Sequence, residues 1–214
     1  KTITGGAVIK HYLKSGKTNI QVIAPASLKQ QWIDDLSSVL GLEERDGDFN
    51  IVSQQDSNAI EKIYEYYDKS WRQSKNIDLF VIDESHNLRS GKGRNYETIL
   101  KLLKQHPESH VLLLTATPIN NTLIDIANQI QLGSKGNLTS VNVPYKRPGS
   151  NDIDVIDFFD ALNRIQSLMK KATKEQRQFD FAEVKATIHD GLRHYLVRST
   201  RQGVEAEGSL IDKG

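Results

Sequence analysis

Two adjacent carboxylates, Asp83 and Glu84, stand directly after the apolar run LFVI. A buried strand ending on two acids delivers them to its C-terminal edge, where open parallel sheets place their ligand sites. Such a pair can divide the labour of metal-assisted attack on a phosphoryl group. The first acid holds Mg2+, and the second orients and deprotonates the attacking water. Alone, the pair also reads as an acidic turn, so its company decides. Pro25-Ala26-Ser27-Leu28 with Trp32 follows one apolar run, and Ser85 and His86 complete the tetrad DESH. Thr115-Ala116-Thr117-Pro118 follows another run, with Ile119, Asn120 and Asn121 behind it.

A phosphate-cradling loop has the form G-x-x-x-x-G-K-[ST] between a strand and a helix. Its glycines let backbone N–H groups close round the phosphates, and the helix N-terminus adds its dipole. The tripeptide Gly16-Lys17-Thr18 imitates the end of that motif. The pattern's first glycine would fall at His11, however, and Lys17-Thr18 runs into a strand, so the tripeptide reads as a turn. The better pair is Lys1-Thr2, followed by the helix-compatible ITGGAVIKHYL. There Lys1 would reach the β/γ-phosphates and Thr2 would reach Mg2+.

The elements that must position these residues are legible as an alternation. IQVIA, FNIVS, DLFVI and HVLLL read as strands buried on both faces, as in a parallel sheet covered by helices. Between them, Leu28, Trp32, Ile33, Leu36 and Leu40 recur at helical spacing after a capping-box start at Ser27 to Gln30. Asn58 and Glu61 repeat that capping logic before Ile60, Ile63, Tyr64, Tyr67 and Trp71; Tyr96, Ile99, Leu100 and Leu103 mark a third helix. The expected fold class is a doubly wound α/β sheet with a C-terminal helical appendage. Residues 1–131 are expected to form the main domain, 132–151 a Gly/Ser/Asn/Pro-rich linker loop or the edge of a second module, 152–200 the appendage and 201–214 a connector. Val155, Phe158, Phe159, Leu162, Ile165 and Met169 carry one appendage helix; Phe181, Val184, Ile188 and Leu192 carry the other.

Bulk properties exclude several classes. Over 214 residues, 28 basic against 27 acidic side chains leave a net charge of +1, so any basic face is local. Arg164 to Arg201 holds nine Lys or Arg against four Asp or Glu, a bias that would suit a polyanion track or an ordinary solvated face. Absence of cysteine removes disulfides, thiolate nucleophiles and Cys-based zinc sites. Six histidines without H-E-x-x-H spacing argue against a zinc enzyme. No apolar run approaches the roughly 20 residues that span a bilayer, and no signal-peptide pattern opens the chain, so no membrane partner and a cytoplasmic location (nucleoid-associated if bacterial) are expected.

Taken in order, these motifs resemble the first RecA-like domain of superfamily-two helicase-like ATPases, a P-loop NTPase fold. PASL with Trp32 and TPINN narrow the resemblance to the Swi/Snf-type branch, including bacterial RapA-like members. The match covers about 1–131, with an echo at HYLVRSTRQGV. Ala116 stands where many Swi/Snf-type proteins have Gly, Asn120 where they have Gln, and Gly203 where an acid often follows the Arg-rich segment. The resemblance implies ATP and Mg2+ as ligands, with Lys1 and Thr2 as motif I, Asp83 on Mg2+ and Glu84 on the hydrolytic water. His86 would face the γ-phosphate region or a second domain, and Thr115 and Thr117 would couple nucleotide state to grip on nucleic acid. Pro25, Ser27 and their neighbours from Ala24 to Gln31 would touch the nucleic-acid backbone. Trp32, Trp71, Tyr64 and Tyr67 read as core anchors.

The resemblance also implies a second RecA-like domain as partner, supplying arginines worth roughly 10³ to 10⁵ in rate. No such domain is read before Gly214, so weak or no turnover is expected of these residues alone. Duplex-DNA translocation is the leading reading. A single-strand DNA or RNA helicase, or a restriction-system motor, is the alternative within the fold; a non-catalytic nucleic-acid or protein-binding domain is the alternative outside it.

Overall fold

The computed structural model describes residues 1–43, 49–69, 77–116, 122–137, 141–147 and 150–195, the side chains of 64–69 and 183 excepted. Tyr64, Tyr67, Trp71 and Thr117 therefore lie outside the described side chains. Two compact units divide the chain, Lys1–Thr139 and Ser140–Gly214.

In the first unit, α1 (Thr2–Lys14) leads through a turn to β1 (Ile20–Ala24), and a short 3-10 turn opens α2 (Lys29–Asp35). Next come β2 (Asn50–Ser53), α3 (Ser57–Lys69), β3 (Leu79–Ile82), α4 (Arg94–Gln105), β4 (His110–Leu113) and α5 (Leu123–Gly133). The strands pair in parallel in the order β2-β1-β3-β4. Alternation along each strand splits the core in two. Ile20, Val22, Ala24, Leu79 and Val81 face a cluster with Ile9, Trp32 and Leu36 from α1 and the α2 segment. Ile23, Phe80 and Ile82 face a cluster with Ile60, Tyr96, Ile99, Leu103 and Leu132 from α3, α4 and α5. The central strands β1 and β3 are thus buried at every position, which is why IQVIA and LFVI are almost wholly apolar. The outer strands β2 and β4 are only partly buried, short of the burial on both faces expected of them. Gly16 takes φ +79° in the turn between α1 and β1, so Gly16-Lys17-Thr18 is a connector.

Capping differs from expectation. Ser27 makes no capping bond. Asp56, not Asn58, caps α3 by accepting from the Ala59 N–H at 2.9 Å. Asn58 and Glu61 instead meet Arg94 of α4.

His106, just past α4, is buried against Phe80, and its Nδ1 accepts from the Ile77 N–H at 3.4 Å. Burial first, then the nearby Lys135 charge, holds its pKa below the ordinary 6.5. The unfolded chain therefore takes up a proton that the folded one resists. The stabilisation is complete above about pH 6.5 and is lost as pH falls below it. Melting temperatures should drop between about pH 7.5 and 5.5, and the drop should be smaller in His106→Gln; equal drops in both proteins would remove His106 as the cause.

The second unit, which begins within 132–151, places a strand there as well as loop, and it corrects the reading of Val155 as helical. Here β5 (Asn142–Lys146) pairs antiparallel with β6 (Ile153–Asp157), followed by α6 (Phe158–Lys174) and α7 (Ala182–Leu192). Val143 and Tyr145 are buried, whereas Ile153 and Val155 are exposed on β6. Asp157 caps α6 by accepting from the N–H groups of Phe159 and Asp160, and Phe158, Leu162 and Ile165 form its buried stripe. Thr187 of α7 ties back to the Pro144 carbonyl at 2.7 Å.

Candidate nucleotide site

All four parallel strands point their C-terminal ends at one edge of the sheet. Pro25 follows β1, Gln54 follows β2, Asp83 follows β3 and Thr115 lies just beyond β4. The strand order reverses between β1 and β3, where ligands of open α/β sheets bind.

Asp83 is only 3% exposed. Its Oδ1 accepts from the Glu84 N–H at 2.8 Å, and its Oδ2 accepts from the Trp32 indole N–H at 2.8 Å. Its carbonyl accepts from the buried Gln54 amide. Two N–H donors thus fix the carboxylate plane and offset part of its desolvation.

Glu84 then turns out of the strand with φ 46° and ψ 45°. A non-glycine residue held there costs roughly 1–3 kcal/mol, a strain found where function requires it. The turn brings the half-buried carboxylate to Lys1, whose Nζ donates to Oε1. Glu84 Oε2 is buried without an aligned hydrogen bond; His86 Nδ1 lies 3.1 Å from it and 3.3 Å from Thr115 Oγ1. Lys1, Asp83, Glu84, His86 and Thr115 are therefore gathered in one cluster across residues up to 114 positions apart in sequence. Thr2 opens α1 beside Lys1.

Pro25 and Ser27 are not part of that cluster. Pro25 is buried and Ser27 exposed, and the adjacent Ala26 N–H donates to Gln55 Oε1 at 2.9 Å.

Sequence reasoning missed the braces. Ser85 is fully buried, with its N–H on the Leu114 carbonyl and its hydroxyl on Gln129 Oε1 at 2.9 Å. Asn128 of α5 donates to the Arg89 carbonyl at 2.7 Å, and Arg89 donates to that of His86 at 2.8 Å. Spacing does not reveal Gln54 or Gln129. Trp32 carried a usable signal, because a buried indole N–H ordinarily finds a partner.

The donor set fits a magnesium nucleotide. Mg2+ is ordinarily bound through one or two carboxylates plus phosphate oxygens, not an all-protein cage. The Lys1 ammonium meets Glu84 at the start of α1, and Thr2 opens that helix, so a cation and a helix N-terminus lie at the carboxylate site.

The family model described as Type III restriction enzyme, res subunit, matches residues 1–120. The chain is 33% identical over 146 residues to the protein named Uncharacterized ATP-dependent helicase YqhH of Bacillus subtilis, covering 66% of this chain and 26% of that protein. It is 29% identical over 142 residues to RNA polymerase-associated protein RapA of Yersinia enterocolitica, covering 55% of this chain and 14% of RapA. It thus spans about a quarter or less of these relatives. In fold, the SWI2/SNF2 ATPase core of Sulfolobus solfataricus, solved with double-stranded DNA, matches 88% of this chain and 36% of that one at a TM-score of 0.54 and 20% identity. The chain belongs to the superfamily-two helicase-like ATPases, within the type III restriction res-subunit family, as a first RecA-like domain of Swi/Snf type.

Proposed function

We propose that this domain binds ATP with Mg2+ at the Lys1, Asp83 and Glu84 cluster and, with a second RecA-like domain, couples hydrolysis to movement along duplex DNA. The observation that carries the reading is the meeting of Lys1 with Glu84 beside a carboxylate held rigid at both oxygens. Lys1 would bind the β/γ-phosphates, and Thr2 and Asp83 would hold the metal. When bound, Mg2+ supplies charge neutralisation at the phosphoryl oxygens. Glu84 would orient the attacking water and take its proton at the carboxylate. His86, between Glu84 and Thr115, would pass the state of the site to the β4 end. Ala24 to Gln31, with Pro25 and Ser27, would rest on the nucleic-acid backbone, and Thr117 would act with Thr115. Arginines from the second domain would complete the site, so residues 1–214 alone would turn over slowly.

Support for duplex DNA comes from the structural neighbour, a SWI2/SNF2 core solved with double-stranded DNA. The description of the family model favours a second reading, a restriction-system motor. ATPase assays of the full-length protein with duplex DNA, single-stranded DNA and RNA test the choice of polymer. Duplex DNA is expected to stimulate most; stronger stimulation by RNA or single strands would remove the duplex reading and leave the motor.

A further inference from the structure

We propose that Trp32 is a positioning residue that transmits contact at the Pro25 to Gln31 segment to the Asp83 carboxylate. The inference rests on the reading of that segment as a nucleic-acid contact and of Asp83 as a metal ligand.

Three parts of the site converge on this one fully buried side chain. Its indole N–H donates to Asp83 Oδ2 at 2.8 Å. A Cβ added at Gly5 would lie 2.7 Å from Trp32 Cη2, so the opening turns of α1, which begin at Lys1 and Thr2, close directly on the ring. That same Cβ would lie 2.9 Å from Leu114 Cδ1, which brings the residue before Thr115 against the same spot. Trp32 also stands within α2, just after the exposed Ala26 and Ser27.

Packing alone does not require this residue. Phenylalanine would fill most of the space, but only the indole supplies a donor. Because the ring is enclosed, it cannot swing into solvent when α2 shifts; the shift passes to the atoms it touches. Asp83 is held at its other oxygen by the Glu84 N–H, so displacement of the Trp32 donor acts on the orientation of the whole carboxylate. Contact with a polymer at the start of α2 thereby reaches the metal side of the site through one hydrogen bond.

The test measures the factor by which duplex DNA tightens binding of Mg2+ with a non-hydrolysable ATP analogue in the full-length protein. Trp32→Phe should reduce that factor roughly tenfold, the scale of one hydrogen bond to a charged group. Leu36→Ala, a void at a fully buried residue without a donor, should lower the melting temperature and leave the factor within about twofold. In fluorotryptophan-labelled protein, the resonance lost in Trp32→Phe should shift when the magnesium analogue is added and again when duplex DNA is added alone. Full coupling in Trp32→Phe, equal loss in Leu36→Ala, or an unmoved Trp32 resonance in protein that binds both ligands would each overturn the proposal. So would binding of both ligands without coupling between them. If the unaltered protein binds no nucleotide, the ATPase reading fails and the proposal with it; if it binds nucleotide but no nucleic acid, the polymer reading fails and takes the proposal with it.

Discussion

Glu84→Gln is expected to slow ATP hydrolysis roughly 10²- to 10⁴-fold, the range for a lost general base, while nucleotide binding persists. The two side chains have the same shape, but an amide cannot take the proton of the attacking water. Fold stability should change little. The Lys1 to Glu84 pair is partly exposed, with side-chain accessibilities of 34% and 22%, and ion pairs of that kind contribute about 0–1 kcal/mol. The left-handed backbone at Glu84 remains under the same strain with glutamine. Single-turnover hydrolysis measured beside a melting curve separates chemistry from folding. A variant that keeps more than about a tenth of the rate would show that Glu84 is not the base.

Lys1→Ala should weaken Mg·ATP binding roughly 10- to 150-fold, the equivalent of losing a charged hydrogen bond to phosphate. The ammonium is already aimed at the carboxylate cluster through Glu84. Its removal also takes the ammonium away from Glu84 Oε1, which would add repulsion between that carboxylate and bound phosphates. Lys17, the lysine of the tripeptide that imitates a phosphate loop, has no comparable position. It sits 5.3 Å over the Tyr12 ring in a cation–π contact at the far end of α1, worth about 0.5–1 kcal/mol. Lys17→Ala should therefore leave nucleotide affinity intact.

Much of this architecture was legible in the sequence because burial on both faces leaves so few alternatives. IQVIA and LFVI are apolar at every position or nearly so, and each lies within a run that reads as a buried strand. The acid pair was legible because it stands at the end of such a strand. The helix starts were less so. Ser27, Asp56, Ser57 and Asn58 all have side chains able to cap, and tertiary contacts decided that Asp56 caps while Asn58 turns to Arg94. The hairpin at Asn142–Asp157 was hidden by its own composition. Pro144 and the Gly/Ser/Asn-rich turn look like loop, yet a two-stranded ribbon consists only of edge strands, where proline is tolerated. The alternation of Val143 and Tyr145 was the signal overlooked. Trp32 showed the limit most clearly, since its place on the apolar stripe revealed that it is buried but not that its N–H holds Asp83.

Titration of a fluorescent ATP analogue with Mg2+ into the unaltered full-length protein, Lys1→Ala and Lys17→Ala tests the central claim most directly. Placement of the phosphates beside Lys1, facing Asp83 and Glu84, predicts that binding collapses in Lys1→Ala alone. Loss of binding in Lys17→Ala with Lys1→Ala unaffected would contradict it and move the phosphates to the other end of α1.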